Sequence, residues 1–160
     1  MSILKESHTQ INSSAKTVLV VEDEVACAMS LQLILQYYGC KVIWASACDE
    51  ALKILTNNQK GIDLILLDIM MPGKTGIDFL VEAKEKNILS SIPIVIQSSE
   101  DREIIRNALD KGAYGYVSKP YIKSEILSLI TKLLKCNLNK VLNDMKVRER
   151  ASFEVYMNKE

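Results

Sequence analysis

Five short apolar runs predict five β-strands along the chain. They occupy residues 18–21, 42–44, 64–67, 94–96 and 116–117. The first, third and fourth runs are continuous and do not alternate with polar residues, which is typical of strands covered on both faces of a parallel sheet. The hydrophobic pattern therefore predicts a parallel sheet at the centre of the molecule.

The stretches between these runs have the spacing of amphipathic helices. Apolar positions recur three and four residues apart within 28–38, 47–57, 77–86 and 101–111, and a last helix is predicted to begin near Tyr121. Gly39 and Gly112 are expected to end two of these helices. The residues predicted to face the core are Ala28, Leu31, Leu35, Tyr38, Ala47, Ala51, Leu52, Leu55, Ile77, Leu80, Val81, Ile104, Ile105, Ala108 and Leu109. Strands that alternate with helices predict a doubly wound α/β fold.

Polar residues stand at the ends of four of the predicted strands. Glu22 and Asp23 follow the first, Asp68 the third, Ser98 the fourth and Lys119 the fifth. Each one alone would be expected where a strand enters solvent. In doubly wound sheets, however, the carboxyl ends of the strands meet at one edge, where ligands bind. Together these residues predict one crevice that holds carboxylates, a hydroxyl group and an ammonium group.

The charges at this edge predict a metal site and phosphoryl chemistry. Glu22, Asp23 and Asp68 would repel one another, and a small, hard cation that keeps several waters would relieve the repulsion. Mg²⁺ fits that description. A metal ion, the ammonium of Lys119 and the hydroxyl of Ser98 suit a transferred phosphoryl group. Asp68 would be the nucleophile that carries this group as an acyl phosphate.

Composition narrows the function classes further. Twenty Lys and Arg residues balance twenty Asp and Glu residues, so no bulk basic surface is predicted for direct nucleic-acid binding. The apolar runs are far shorter than the roughly 20 residues needed to span a membrane. Residues 1–16 are polar and lack the apolar segment of a secretory signal. We therefore expect a cytoplasmic protein with no membrane segment.

The cysteines are predicted to be reduced core thiols. Cys27, Cys40, Cys48 and Cys136 show no C-x-x-C spacing, and the single histidine, His8, is distant from all of them in the sequence. A metal or redox site is the alternative interpretation.

The ordered residues at the strand ends resemble the receiver domain of two-component response regulators. The resemblance runs from about residue 17 to about residue 134. It implies a flavodoxin-like (βα)5 three-layer sandwich with a five-stranded parallel sheet in the order 2-1-3-4-5. The matching motifs are Glu22-Asp23, Asp68, Met71-Pro72 with Gly76, Ser98-Ser99, Tyr116 and Lys119-Pro120.

The resemblance implies an acceptor and a set of metal ligands. Asp68 is implied to be the phosphoacceptor, which attacks a phosphohistidine of a sensor histidine kinase or a histidine phosphotransfer protein. Asp23, Asp68 and the backbone carbonyl of Met70 are implied to bind Mg²⁺, with Glu22 acting through water. The domain would catalyse only its own phosphorylation and dephosphorylation, so it would not be an enzyme with turnover.

The resemblance also implies a switch. Lys119 and Ser98 would bind the phosphoryl oxygens, and Tyr116 would move inward into the space that Ser98 leaves. This shift would change the face formed by the fourth helix, fifth strand and fifth helix, where a downstream protein reads the state. The alternative for Tyr116 is a core aromatic residue with its hydroxyl at the surface.

We divide the chain into a flexible tail (1–16), the receiver domain (17–134) and a C-terminal helical extension (135–160). The apolar stripe of the last helix continues through Leu138, Val141, Leu142 and Met145, which favours a homodimer through this helix. The alternative is a helix that bends back or frays after Asn137. The extension is too short for a typical DNA-binding domain, so we expect a stand-alone receiver that acts through protein contacts.

Several alternatives stay open at this stage. A receiver excised from a hybrid histidine kinase, or a scaffold receiver that works without phosphorylation, would have a similar sequence. An FMN-binding flavodoxin shares the fold but needs a phosphate-cradling loop where this chain has Glu22-Asp23-Glu24. A haloacid-dehalogenase-like phosphatase would have a second carboxylate two residues after Asp68, where this chain has Met70. That apolar side chain cannot orient a water, so we predict that Met70→Asn speeds dephosphorylation.

Overall fold

Five strands and five helices alternate along the part of the chain that the computed structural model describes, residues 15–58, 61–88, 90–99 and 101–134. The predicted alternation is confirmed, with the ends of the elements shifted by a few residues. The strands are β1 (Thr17–Val21), β2 (Lys41–Ala45), β3 (Leu64–Asp68), β4 (Ile94–Ser98) and β5 (Gly115–Ser118). The helices are α1 (Val25–Tyr37), α2 (Cys48–Asn58), α3 (Gly76–Glu85), α4 (Arg102–Asp110) and α5 (Lys123–Leu134).

The strands form one parallel sheet in the order β2-β1-β3-β4-β5. This is the predicted flavodoxin-like, doubly wound arrangement. β1 has β2 on one side and β3 on the other, so the direction of winding reverses beside β1. The carboxyl ends of β1 and β3 therefore border the crevice in which ligands of such sheets bind.

The sheet separates two hydrophobic cores. Val18 and Val20 of β1 pack with residues of α1 and α5, such as Leu31 and Ile126. Leu19 and Val21 of β1 pack on the opposite face, together with residues of α2, α3 and α4. Successive side chains of a strand point to opposite faces, so this alternation also decides on which side each residue at a strand end lies.

Helix faces are predicted well for α1 and less well for α3. Leu31 and Leu35 are fully buried, as predicted. In α3 the buried face is formed by Gly76, Phe79, Leu80 and Ala83, whereas the predicted Val81 is 41% exposed. The prediction for Val81 is wrong because the predicted stripe started from Ile77, whereas the buried face runs through Phe79 and Ala83. At 100° per residue, that face leaves Val81 on the other side of the helix.

Two further predicted core positions differ from the structure, whereas Tyr38 is partly buried and packs against the core as predicted. Ala47 is exposed and precedes α2, and Leu109 of α4 is 39% exposed. Each lies at or beyond a helix end, or on the flank of a helix, where the sheet no longer covers it. Gly39 and Gly112 follow α1 and α4 with φ of 82° and 104°, the left-handed conformation of helix-ending glycines.

The described cysteines are free thiols, but only two belong to the core. Cys40 and Cys48 are buried, as predicted. Cys27 is only half-buried on α1, and its Sγ lies 3.2 Å from a carboxylate oxygen of Glu24, so its prediction as a core thiol is wrong. Burial raises the pKa of Cys48 to about 12 and that of Cys27 to about 11.

Some predictions fall outside the described residues. These are His8 with most of the predicted tail, Cys136, and the predicted extension at 135–160. Within the described ranges, the helices are all too short or too polar to cross a lipid bilayer.

Candidate functional site

Three charged residues meet at the carboxyl edge of the sheet on the α1 and α5 side. Glu22 follows β1, Asp68 is the last residue of β3, and Lys119 follows β5. The alternation of the strands places them on the same face as Val18 and Val20. Glu22 is completely buried and Asp68 is 5% exposed. The fold thus buries two carboxylates at this edge of the sheet. Burial removes their hydration, so each needs a cation or a hydrogen-bond donor as a partner.

The predicted carboxylates do come together. One carboxylate oxygen from each of Glu22, Asp23 and Asp68 lies within 4.8 Å of the other two. Asp23 is exposed, so the group opens to solvent on its side. An all-oxygen set of this charge fits a hard divalent cation such as Mg²⁺. The position of the Met70 carbonyl relative to this group stays a prediction.

Lys119 pairs with two of these carboxylates. Its Nζ donates to Oε2 of Glu22 at 2.7 Å and lies 3.3 Å from Oδ2 of Asp68. One ammonium group therefore faces the charge of three carboxylates when Asp23 is included. The site keeps an excess of negative charge, as the sequence predicts.

The pKa shifts in this cluster have distinct causes. Burial raises the pKa of Glu22, and the hydrogen bond from Lys119 only partly opposes it; the charge of Asp68 raises it further. Burial lowers the pKa of Lys119, but the hydrogen bond to Glu22 and the charge of Asp68 outweigh it, so the pKa is raised overall. Lys119 stays a cation, while the negative charge around it is not fully compensated.

Backbone groups of the segment that follows β3 hold the side chain of Asp68 and the turn after it in place. The amide of Met70 donates to Oδ1 of Asp68 at 3.2 Å, and the amide of Gly76 donates to the carbonyl of Ile69 at 3.0 Å. A Cβ atom on Gly76 would lie 2.5 Å from the Asp68 carbonyl oxygen and 2.8 Å from Cα of Ile69. Only glycine allows α3 to begin this close to Asp68. The side chain of Met70 is 68% exposed.

The predicted switch residues lie on the opposite face of the sheet. Ser98 ends β4 and is 7% exposed, whereas Tyr116 of β5 is 54% exposed. Both border a cavity of about 290 Å³, which Arg102, Ile105 and Ser118 also line. The interpretation of Tyr116 as a core aromatic residue is therefore wrong. Its side chain lies outside the core and borders the same cavity as Ser98.

Sequence reasoning gave no role to two polar residues behind the carboxylates. The hydroxyl of Tyr121 contacts Oε1 of Gln97 in a short hydrogen bond and lies 3.4 Å from Oε2 of Glu22. Gln97 is completely buried in β4, and its Nε2 is a buried side-chain atom with no hydrogen-bond partner among the described residues. Two signals were available: a polar residue that directly continues an apolar run, and a tyrosine right after Lys119-Pro120.

The comparison with family models decides the family. Residues 18–131 match the model of the response regulator receiver domain. The chain belongs to this family. The resemblance carried by the strand-end residues is thereby confirmed, together with the fold that it implies.

Known proteins support the same assignment. The phosphate regulon transcriptional regulatory protein PhoB of Escherichia coli is 33% identical over 122 residues, which are 76% of this chain and 52% of PhoB. The two-component response regulator ARR5 of Arabidopsis thaliana is 31% identical over 150 residues, 87% of this chain and 82% of ARR5. The chain thus spans about half the length of the bacterial relative and most of the plant one.

Solved structures of short receivers superpose over most of this chain. The chemotaxis protein CheY4 of Vibrio cholerae has 25% identity and a TM-score of 0.69, with 75% of this chain and 99% of CheY4 covered. A receiver domain protein of Clostridium thermocellum has 27% identity and a TM-score of 0.69, with 79% and 98% covered.

Proposed function

We propose that this chain is a phosphorylation-dependent response regulator that accepts a phosphoryl group on Asp68. The donor would be a phosphohistidine of a sensor histidine kinase or a histidine phosphotransfer protein. The observation that supports this most directly is the geometry of the sheet edge. Three carboxylates have oxygens within 4.8 Å of one another, and Lys119 lies between two of them.

The transfer balances without a further reactant. An Asp68 carboxylate oxygen attacks phosphorus, the P–N bond to the donor imidazole breaks, and its electron pair stays on the imidazole nitrogen, which takes a proton from solvent. Mg²⁺ would be held by Asp23, Asp68 and the Met70 carbonyl, with Glu22 acting through water. When bound, it supplies positive charge to the phosphoryl oxygens.

Lys119 and Ser98 complete the proposed site. Nζ of Lys119 lies 3.3 Å from Oδ2 of Asp68, so it can donate to oxygens of a group bound there. Ser98 is the last residue of β4, beside Asp68 in the sheet order, and would donate through its hydroxyl. The acyl phosphate then hydrolyses on the same domain, so the protein is proposed to act as a switch and not as an enzyme with turnover.

The output is proposed to be the α4-β5-α5 face. Tyr116 is exposed beside a cavity that Ser98 also borders, so an inward movement of its ring has space to occur. Phosphorylation would bias an existing equilibrium between the two ring positions. A downstream protein would read this face. A homodimer through residues 135–160 is a further proposal.

Intact-mass measurement tests the central claim. The purified protein is mixed with Mg²⁺ and the small phosphodonor acetyl phosphate, and we expect the mass of one phosphoryl group to be gained. Asp68→Asn should not gain it, whereas the matched control Asp110→Asn, on the exposed end of α4, should. Wild type without any gain would contradict the proposal and favour a scaffold receiver.

The identity at Met70 is proposed to set how long the phosphoryl group persists. Its amide is tied to Asp68, while its side chain is 68% exposed, so an asparagine there would keep the backbone contact and add a group that can orient water. We expect Met70→Asn to dephosphorylate several-fold faster. Decay of the phosphorylated mass with time measures this, and a half-life that is unchanged or longer would contradict it.

A further inference from the structure

Behind the carboxylates lies a partly buried polar contact that the proposed phosphoryl chemistry does not use. The hydroxyl of Tyr121 lies between the amide of Gln97 and Oε2 of Glu22, the same oxygen that Nζ of Lys119 contacts at 2.7 Å. Gln97 is one of four buried polar or charged residues in the described part of the chain, with Glu22, Asp68 and Ser98. A buried polar group in a strand needs a reason, because desolvation costs free energy unless it is hydrogen-bonded.

Counting donors and acceptors defines the arrangement. A tyrosine hydroxyl has one proton, and an ionised carboxylate only accepts. With Oε1 of Gln97 toward the hydroxyl, that proton goes to Gln97, and Nε2 stays without a partner. If the amide turns Nε2 to the hydroxyl oxygen, Gln97 donates to Tyr121 and Tyr121 is free to donate to Glu22. Burial and the charge of Glu22 raise the pKa of Tyr121, so its hydroxyl keeps the proton.

This arrangement matters when Lys119 changes partners. In the structure Lys119 lies closer to Glu22 than to Asp68, at 2.7 and 3.3 Å. A phosphoryl group on Asp68 attracts Lys119 and weakens its contact with Glu22. Glu22, which is completely buried, then loses a charged partner, and an uncompensated buried carboxylate is costly.

We propose that Gln97 and Tyr121 are positioning residues that supply a replacement hydrogen bond to Glu22 when Lys119 turns to the phosphoryl group on Asp68. The inference rests on the proposed function of Asp68. Neither residue touches the phosphoryl group. They act through Glu22 and lower the cost of releasing Lys119.

The single tryptophan allows a direct test. The indole nitrogen of Trp44 donates to the backbone oxygen of Glu22 at 2.8 Å, so its fluorescence reports on this corner of the site. Mg²⁺ is titrated first, and beryllium trifluoride, a non-covalent mimic of the phosphoryl group, is then titrated at saturating Mg²⁺. The variants are Tyr121→Phe and Gln97→Met, with Tyr114→Phe, on a 58% exposed tyrosine, as the matched control.

The two titrations should respond differently. Tyr121→Phe should bind beryllium trifluoride about tenfold more weakly, the effect of one hydrogen bond to a charged group, while its Mg²⁺ affinity changes less than about twofold. Gln97→Met should act in the same direction, and the double variant should lose no more than Tyr121→Phe alone, because both remove one relay. Tyr114→Phe should behave as wild type.

Other outcomes separate the claims. If Tyr121→Phe binds the mimic as wild type does, or loses Mg²⁺ affinity in the same proportion, the relay is overturned while Asp68 phosphorylation stands. If wild type binds no mimic and gains no phosphoryl mass, the proposed function fails, and the relay fails with it. Should Tyr121→Phe not fold, Gln97→Met carries the same test.

Discussion

Two lysines of this protein each lie between two carboxylates, with opposite consequences. Lys119 does so at the edge of the sheet, and Lys74 does so on the surface between α2 and α3. All four contacts lie between 2.6 and 3.3 Å. The partners are Glu22 and Asp68 for Lys119, and Asp49 and Glu82 for Lys74.

Burial accounts for the difference. The side chain of Glu22 is 1% exposed and that of Asp49 is 70% exposed. The hydrogen bond from Lys74 lowers the pKa of Asp49, whereas burial raises the pKa of Glu22 despite its hydrogen bond from Lys119. Water solvates the exposed carboxylates of Lys74, so their charge is compensated there. A buried carboxylate has no such water, so any charge that Lys119 does not compensate remains costly. One lysine and two carboxylates thus form an ordinary surface ion pair at Lys74. At Lys119 they form a site whose negative charge is only partly compensated.

The largest expected effect comes from Gly76, at the start of α3, which lies against the backbone of Asp68 and Ile69. Its missing Cβ leaves room for the Asp68 carbonyl oxygen, which a methyl group would approach to 2.5 Å. Since the obstacle is backbone, we expect Gly76→Ala to lower the free energy of unfolding by about 3 kcal/mol and to impair phosphoryl acceptance. Urea denaturation and intact mass measure the two effects.

Gly115 provides the matched control. Like Gly76, it does not have a positive φ, so alanine can adopt its backbone conformation. A Cβ atom built on it has no other atom within 4 Å. Gly115→Ala should therefore retain wild-type stability and acceptance. Equal losses in both variants would show that close approach at Gly76 does not set the geometry around Asp68.

Removing Lys119, whose carboxylate partners are buried, should have the next largest effect. Lys119→Met leaves Glu22 without its charged partner, and we expect a loss of about 2 kcal/mol in the free energy of unfolding at neutral pH without Mg²⁺. The same change removes a positive charge from the carboxylate cluster, so Mg²⁺ should bind several-fold more tightly. Denaturation with and without Mg²⁺ measures both. Weaker Mg²⁺ binding in this variant would argue against excess negative charge at the site.

The surface lysine should matter least. Lys74→Met is expected to cost less stability than Lys119→Met, because its partners regain water. Lys74 lowers the pKa of Asp49 and Glu82 from their ordinary values of 3.8 and 4.5. A carboxylate with a lowered folded pKa adds stability above its unfolded pKa and loses it as the pH falls through the folded one.

The difference between wild type and Lys74→Met should therefore be constant above about pH 5 and shrink as the pH falls below about 4. Unfolding free energies measured across this range test the sign. A difference that grows toward acid pH would mean that Lys74 does not stabilise the ionised carboxylates.

The sequence predictions are accurate for features that depend on neighbouring residues and fail for contacts between residues far apart in the sequence. Leu31 and Leu35 were predicted to be buried and are, because a helical stripe is a local pattern. Val81 was assigned to the wrong face, since the predicted stripe started from Ile77 and the sheet covers the face through Phe79 and Ala83. The contact between Tyr121 and Gln97 was not predicted, because nothing local relates a residue before a helix to one inside a distant strand.

The sequence by itself determined the order of the elements and the residues at the strand ends, because hydrophobic periodicity and breaking residues act over a few neighbours. Only the tertiary structure decided which of those residues share a face and which donor meets which acceptor. The contact between Lys119 and Glu22 joins residues 97 positions apart. Such a contact depends on strand order, on the alternation of side chains across the sheet, and on burial that strengthens charge interactions, none of which a local pattern contains.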